Sequence, residues 1–138
     1  MSLFTRKKKV IVDGANIAYL QRTHNGKPLA VNIFRVKREL EKKRFLPIII
    51  VDASLYHEVA DQDKFEELID LGEIELAPDD TDTETFIIEA AHKYRAPIIS
   101  NDLYEEYQDQ YPWIEDRRIP LVLSGDLEVE FYQLGMGL

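Results

Sequence analysis

Three runs of consecutive apolar residues each end in aspartate. They are Val10-Ile11-Val12-Asp13, Pro47-Ile48-Ile49-Ile50-Val51-Asp52 and Pro97-Ile98-Ile99, the last followed by Ser100-Asn101-Asp102. A strand with one wet face alternates apolar and polar residues. An unbroken β-branched run instead reads as a strand buried on both faces, as in a parallel sheet covered by helices. Ligands of such sheets bind outside the carboxyl ends of the strands, which is where Asp13, Asp52 and Asp102 fall.

The segments between these runs read as helices, so the chain is an α/β protein with a mainly parallel central sheet covered by helices on both faces. Strands are expected at Lys9–Asp13, in Leu46–Ala53, at Ile74–Leu76, in Ala96–Asp102 and at Ile119–Leu123. Helices are expected from Pro28 to Arg44, Asp63 to Leu71 (stopped by Gly72), Thr83 to Tyr94 and Leu103 to about Gln110. Gln21–Pro28 reads as a loop on its Asn25-Gly26 and Pro28 signals.

At 138 residues the chain suffices for one domain with a sizeable core, and no repeat or linker divides it. Residues 1–138 are read as a single domain, with 1–8 as a flexible basic flank. No apolar run approaches the roughly 18 residues of a membrane span, and the N-terminus lacks an apolar signal region, so neither membrane insertion nor export is expected. The absence of cysteine excludes disulfides and thiolate metal sites and fits a reducing cytoplasm. A net charge of −9 argues against a broad nucleic-acid binder, but does not exclude an enzyme whose acids hold cations.

The acids form a constellation. Asp13 and Asp102 end strands, and Glu84 lies in the first turn of a helix that begins at the same edge. Glu106, four residues after Asp102, shares its face if that segment is helical. Converging carboxylates repel one another without a cation, and an all-oxygen set suits Mg²⁺ or Mn²⁺. Asp13, Glu84, Asp102 and Glu106 are therefore the candidate metal ligands. Asp82 and Thr83 read as helix caps, Asp52 as cap chemistry, and Asp79 and Asp80 as a solvated loop.

The stretch Val10–Ala18, VIVDGANIA, followed by Ile98–Asp102, IISND, and then Tyr104, resembles the NYN branch of the PIN-like nucleases, in particular the ribonuclease domain of CCCH zinc-finger endoribonucleases. The resemblance runs from Val10 to about Tyr107 and implies a Rossmann-like, PIN-type domain. It implies a metal-dependent endoribonuclease that hydrolyses single-stranded RNA with water activated at the acidic cluster. By matching position it makes Asp13, Asn16, Glu84 and Asp102 the catalytic set, with Glu106 as the added acid. Asn16 is implied to contact the scissile phosphate or a bound water, and Gly14 to allow a tight turn. Ser100 and Asn101 are read as supports at the substrate edge. Two adjacent aspartates of the zinc-finger ribonucleases are here Thr83 and Glu84, so one acid is lost unless Asp82 substitutes. The loop after Asn16 also differs, so substrate preference does not carry over.

Substrate phosphates are expected to meet Arg22, Lys27 and Arg35, with Lys64 at the same edge and His24 in the loop. The run Arg6–Lys9, together with Lys93, Arg95, Arg117 and Arg118, falls at the opposite edge. Tyr19, Tyr104 and Tyr107 are candidates for stacking a base, and Trp113 for packing. The C-terminal EFYQLGMGL is apolar enough to pack on the domain or on a second copy in a homodimer. The alternative reading is a non-catalytic RNA- or protein-binding module with a weakened metal site. A haloacid-type phosphatase needs an acid where Ala15 stands, and a dinucleotide-binding domain needs a G-x-G-x-x-G that is absent.

Overall fold

The computed structural model describes residues 7–125 and 128–132. At its centre Val10, Ile11 and Val12 are fully buried in strand β1 (Lys8–Asp13). β1 is flanked by β2 (Phe45–Val51) and β4 (Ile98–Ile99), with Val12 in register with Ile49 and with Ile99. β3 (Ile74–Leu76) and β5 (Arg118–Ile119) complete a five-stranded sheet of order β3-β2-β1-β4-β5. Each pairing in it is parallel.

Alternation along β1 divides the core. Val10 and Val12 face α1 (Gly14–Ala18), α2 (Val31–Lys42), α3 (Leu55–Glu58) and α4 (Gln62–Asp70), which supply Ile17, Ile33, Val36, Leu40, Leu55, Phe65 and Leu68. Ile11 faces α5 (Thr83–Tyr94), which supplies Ile87, Ile88 and Ala91, and α6 (Ile114–Arg117), which supplies Ile114. Helices thus cover both faces, and Asp13, two residues after Ile11, belongs to the α5 side.

β3 and α5 have the expected limits, because their signals are local. Asp82 caps α5 by accepting from Thr85 N, and Gly72 at φ 68° ends α4. Strand β1 starts one residue before the expected Lys9.

The differences have long-range causes. α2 starts at Val31, not Pro28. Asp61, from the α3–α4 link, accepts from Ala30 N at 2.6 Å and Val31 N at 2.9 Å and so caps the helix from 30 residues away. Leu103–Gln110 is not a helix. Tyr104 adopts a left-handed φ of 52°, and only Glu105–Tyr107 forms a 3₁₀ turn. Tyr104 N donates to Asp102 Oδ1 at 2.8 Å, a side-chain turn that competes with helix. Asp102 and Glu106 therefore do not share a helix face.

The expected last strand is two strands. Pro120 has no N–H to continue the ladder. Beyond it β6 (Leu121–Ser124) leaves the parallel sheet and pairs antiparallel with β7 (Glu128–Phe131). Arg6 and Gln133–Leu138, the end of the apolar tail, lie outside the described residues.

Candidate active site

Asp13 is only 6% exposed and anchors the carboxyl edge. Its Oδ1 caps α1 by accepting from Asn16 N at 3.2 Å. Its Oδ2 accepts from Ser100 Oγ at 3.3 Å and from Tyr104 OH at 2.5 Å. Burial pushes the carboxyl above the usual aspartate range; the hydrogen bonds from Tyr104, Asn16 and Ser100 oppose this, and the charge of Asp102 adds to it. Gly14 follows Asp13 directly. A Cβ there would lie 2.2 Å from Val51 Cγ1 and 3.1 Å from Ile50 O. The glycine is required by close approach of α1 to β2, not by a tight turn, since its φ is not positive.

The Ser100-Asn101-Asp102 segment is tied to Asp13 from the other side. Ser100 is fully buried, and its Oγ, besides donating to Asp13, accepts from Asp102 N at 3.1 Å. Asn101 pairs with the Leu121 backbone through both ends of its amide, at 2.8 and 2.9 Å, standing in for the strand that Pro120 interrupts. Asn101 N donates to Asn16 Oδ1 at 2.9 Å, so Asn16 clamps the first motif to the second. Asp102 is exposed, with one oxygen taken by Tyr104 N.

Two adjoining clefts open at this edge. The inner one, about 280 Å³, brings together Asp13, Asp52, Glu58, Asp82 and Glu84, among others. The outer one, about 480 Å³, holds Asp82, Glu84, Asp102, Glu105, Glu106 and Tyr107, among others. Water occupies about 30 Å³ per molecule, so each admits a hydrated ion. Asp82 and Glu84 line both clefts, and no lysine, arginine or histidine lines either. Burial holds Glu84 above the usual glutamate range, reinforced by the charges of Asp82 and Asp13. Asp82 is held low, chiefly by the Tyr107 hydroxyl at 2.5 Å, with Thr85 assisting. The same bond pushes Tyr107 up to about 12. Asp52 is also held low, by Ser54, with the Thr83 hydroxyl at 3.3 Å.

The edge thus gathers Asp13, Glu84 and Asp102 around joined clefts, with Glu106 on the outer rim. The cations expected at the substrate lie elsewhere. Arg35 donates to Gln21 Oε1 at 2.7 Å and to the carbonyls of Ser124 at 2.9 Å and Glu128 at 3.4 Å, tying α2 to the β6–β7 hairpin. Arg22 donates to Tyr19 O and lies over the Tyr19 ring. Lys27 and His24 are exposed in the loop. Arg118, assigned above to the far edge, reaches Ser100 O at 3.1 Å. Trp113 packs among His92, Tyr111 and Arg117. The hydroxyl contacts of Tyr104 and Tyr107 have no signal in the sequence beyond the place of Tyr104 two residues after Asp102.

A family model described as "Zc3h12a-like Ribonuclease NYN domain" matches residues 6–130. No curated protein matches the chain. Among solved structures, the chain is similar to Arabidopsis thaliana nuclear protein-only RNase P 2 (PRORP2). That match has a TM-score of 0.66 and 21% identity and covers 91% of this chain and 30% of that one. A second structure, a crystal structure of nuclear proteinaceous RNase P 2 (PRORP2) from A. thaliana, matches with a TM-score of 0.65 and 20% identity, covering 91% and 29%. The chain spans less than a third of the length of these structures, and the likeness is one of fold.

Proposed function

Because the chain belongs to the Zc3h12a-like ribonuclease NYN domain family, we propose that it is a metal-dependent endoribonuclease that hydrolyses single-stranded RNA at its carboxyl edge. The observation that carries this reading is the pair of joined clefts that share Asp82 and Glu84 and are lined by acids with no cation among them.

The donor set supports a hard divalent ion. It is all oxygen, and two of its members, Asp13 and Glu84, are pushed toward protonation by burial and by neighbouring negative charge. Among the described residues no three of these side chains stand close enough to grip a bare ion. Mg²⁺ commonly keeps several waters and takes one or two carboxylates plus substrate phosphates, so its binding does not require a closed cage of three side chains. Asp13, Glu84 and Asp102 would hold it, with Asp82 at the junction of the clefts and Glu106 on the rim. A divalent ion there supplies Lewis-acid stabilisation of charge on the phosphodiester oxygens and makes water a stronger nucleophile.

The protein's own part is orientation. Ser100, Tyr104 and Asn16 fix the Asp13 carboxylate, and the turn that uses Asp102 Oδ1 leaves its Oδ2 for the ligand. Glu84, held above the usual range by burial and by its acidic neighbours, would be ionised once a divalent ion stood beside it, so the proton taken up by the leaving 3′-oxygen would come from water. Products would carry 5′-phosphate and 3′-hydroxyl ends, and the 2′-hydroxyl takes no part.

The test is incubation of 5′-labelled single-stranded RNA with Mn²⁺ or Mg²⁺, beside Asp13→Asn. Expected is cleavage that EDTA abolishes, that nearly disappears in the variant and that leaves 3′-hydroxyl ends. Cyclic 2′,3′-phosphate ends would overturn the mechanism. RNA binding without cleavage under either metal would favour the binding-module alternative.

A further inference from the structure

The clefts present acids and no cation to a polyanionic substrate, so affinity for RNA has to be supplied elsewhere. One groove, of about 360 Å³, has the opposite character. It runs along the outer stripe of α2 beside α4 and is lined by Val31, Phe34, Arg35, Arg38, Lys42 and Lys64, with Glu39 as its one acid; the Arg35 guanidinium is bonded to Gln21 and the hairpin carbonyls. Phe34, Arg38 and Lys42 recur every four residues, which places them in a row about 12 Å long at 1.5 Å per residue. Lys64, in the first turn of α4, joins the row with its ammonium 4.8 Å from the Phe34 ring centroid. These cations are weakly committed. Arg38 is exposed and has no ion pair among the described residues. Lys42 is 73% exposed, with Glu39 at 3.9 Å. Lys64 meets Glu67 only at an exposed 3.3 Å contact, the kind worth little in water.

The groove also lies on a path from the site. The inner cleft reaches from Glu84 and Ile87 on α5, which covers one face of the sheet, to Leu55 and Glu58 on α3, which covers the other. α2 and α4 both start at the carboxyl edge on that second face. A strand that crossed the edge past Asp13 and continued over α3 would meet Phe34 and Lys64, near the starts of α2 and α4.

We propose that the α2–α4 groove is a phosphate-backbone anchor for single-stranded RNA, holding the part of the strand that has crossed the acidic edge. The inference rests on the ribonuclease reading above for the identity of the polyanion. Arg38, Lys42 and Lys64 each contact a phosphate, so recognition there is independent of base sequence and sensitive to salt.

The experiment compares wild type with Arg38→Ala/Lys42→Ala/Lys64→Ala. A control, Lys7→Ala/Lys8→Ala/Lys93→Ala, removes the same charge from exposed positions outside the groove. Binding of a fluorescein-labelled 20-nucleotide oligouridylate is followed by anisotropy in EDTA across a KCl series. Cleavage of that RNA and of a tetranucleotide is followed in Mn²⁺. The groove variant is expected to bind about tenfold more weakly, with a log–log salt slope shallower by about 2, at roughly 0.7 per phosphate contact on a single strand. Its KM for the long RNA should rise, while kcat/KM for the tetranucleotide stays at the wild-type value. Binding and cleavage equal to wild type, or a loss no greater than in the control, overturns the anchor. A wild type that binds the RNA in this groove-dependent way yet cleaves with neither Mn²⁺ nor Mg²⁺ overturns the nuclease reading and leaves the anchor standing.

Discussion

The phenol of Tyr104 donates to Asp13 Oδ2 at 2.5 Å, 91 residues away in the chain, while the backbone N–H of Tyr104 holds Asp102 at 2.8 Å. One buried residue, 2% exposed, thus sets the position of Asp13, at the end of β1, and of Asp102, in the segment after β4. Tyr104→Phe keeps the ring in the core and removes only the hydroxyl. That bond is the largest influence lowering the Asp13 pKa, so its loss should raise that pKa further. The acid limb of the pH–rate profile at subsaturating Mn²⁺ should move to higher pH. Urea unfolding at neutral pH should show a loss of about 1–3 kcal/mol, the usual cost of taking a partner from a buried polar group. An unmoved acid limb would show that the hydroxyl does not tune Asp13.

Asp13→Asn should stabilise the metal-free protein while removing its activity. The folded pKa of Asp13 lies above its ordinary value of 3.8, so the folded state binds more protons than the unfolded one between those two values. Stability therefore falls as pH rises from 3.8 through the raised value, and at neutral pH the full penalty is present. Glu84 acts in the same direction. The neutral variant should be more stable at pH 7 by about 0.5–2 kcal/mol, as is common when a functional site is relieved, and should show a flatter stability–pH curve. In wild type, Mn²⁺ should raise Tm by mass action, and in Asp13→Asn that rise should shrink. Melting curves in EDTA and Mn²⁺ from pH 4 to 8 check both expectations.

Gly14→Ala should be costly for a reason specific to one neighbour. The new Cβ would stand 2.2 Å from Val51 Cγ1, and overpacking of this kind costs about 1–3 kcal/mol. Because the obstruction is a side chain, Val51→Ala in the same protein should recover part of the loss. A double-mutant cycle by urea unfolding should show Gly14→Ala less damaging in the Val51→Ala background than in wild type. Additive losses would place the strain on the Ile50 carbonyl, 3.1 Å away, instead.

Features set by local signals were readable in the sequence. The β-branched run Val10–Val12 implied a strand buried on both faces, and Asp82 with the apolar stripe of α5 implied a helix with the observed ends. The same logic put Asp13 and Asp102 at one sheet edge and Glu84 beside them. What could not be read depends on partners far along the chain. Tyr104 leaves the helical region because of bonds to Asp102 and to Asp13, and that separates Glu106 from the face expected of it. Pro120 was visible, but the Asn101 amide that completes the interrupted sheet was not. For cations, spacing reports only which edge they approach. Whether a guanidinium faces solvent or a hairpin carbonyl depends on a strand about 90 residues away.

Arg35 is the case in point, and its variant separates the two roles. Its guanidinium donates to Gln21 and to the carbonyls of Ser124 and Glu128, and Gln21 in turn donates to Leu123 O at 3.1 Å. These bonds hold the β6–β7 hairpin against α2, and a two-stranded hairpin has little stability of its own. Arg35→Ala should therefore cost about 1–3 kcal/mol, since bonds from a charged donor are the stronger kind, and the effect should be local. Hydrogen exchange should quicken at the amides of the β6–β7 ladder and stay near wild type in β1 and β2. RNA affinity should change far less than in the Arg38/Lys42/Lys64 variant, with an unaltered salt slope. A shallower salt slope together with unchanged exchange in β6 and β7 would instead make Arg35 a phosphate contact, the role the sequence alone assigns it.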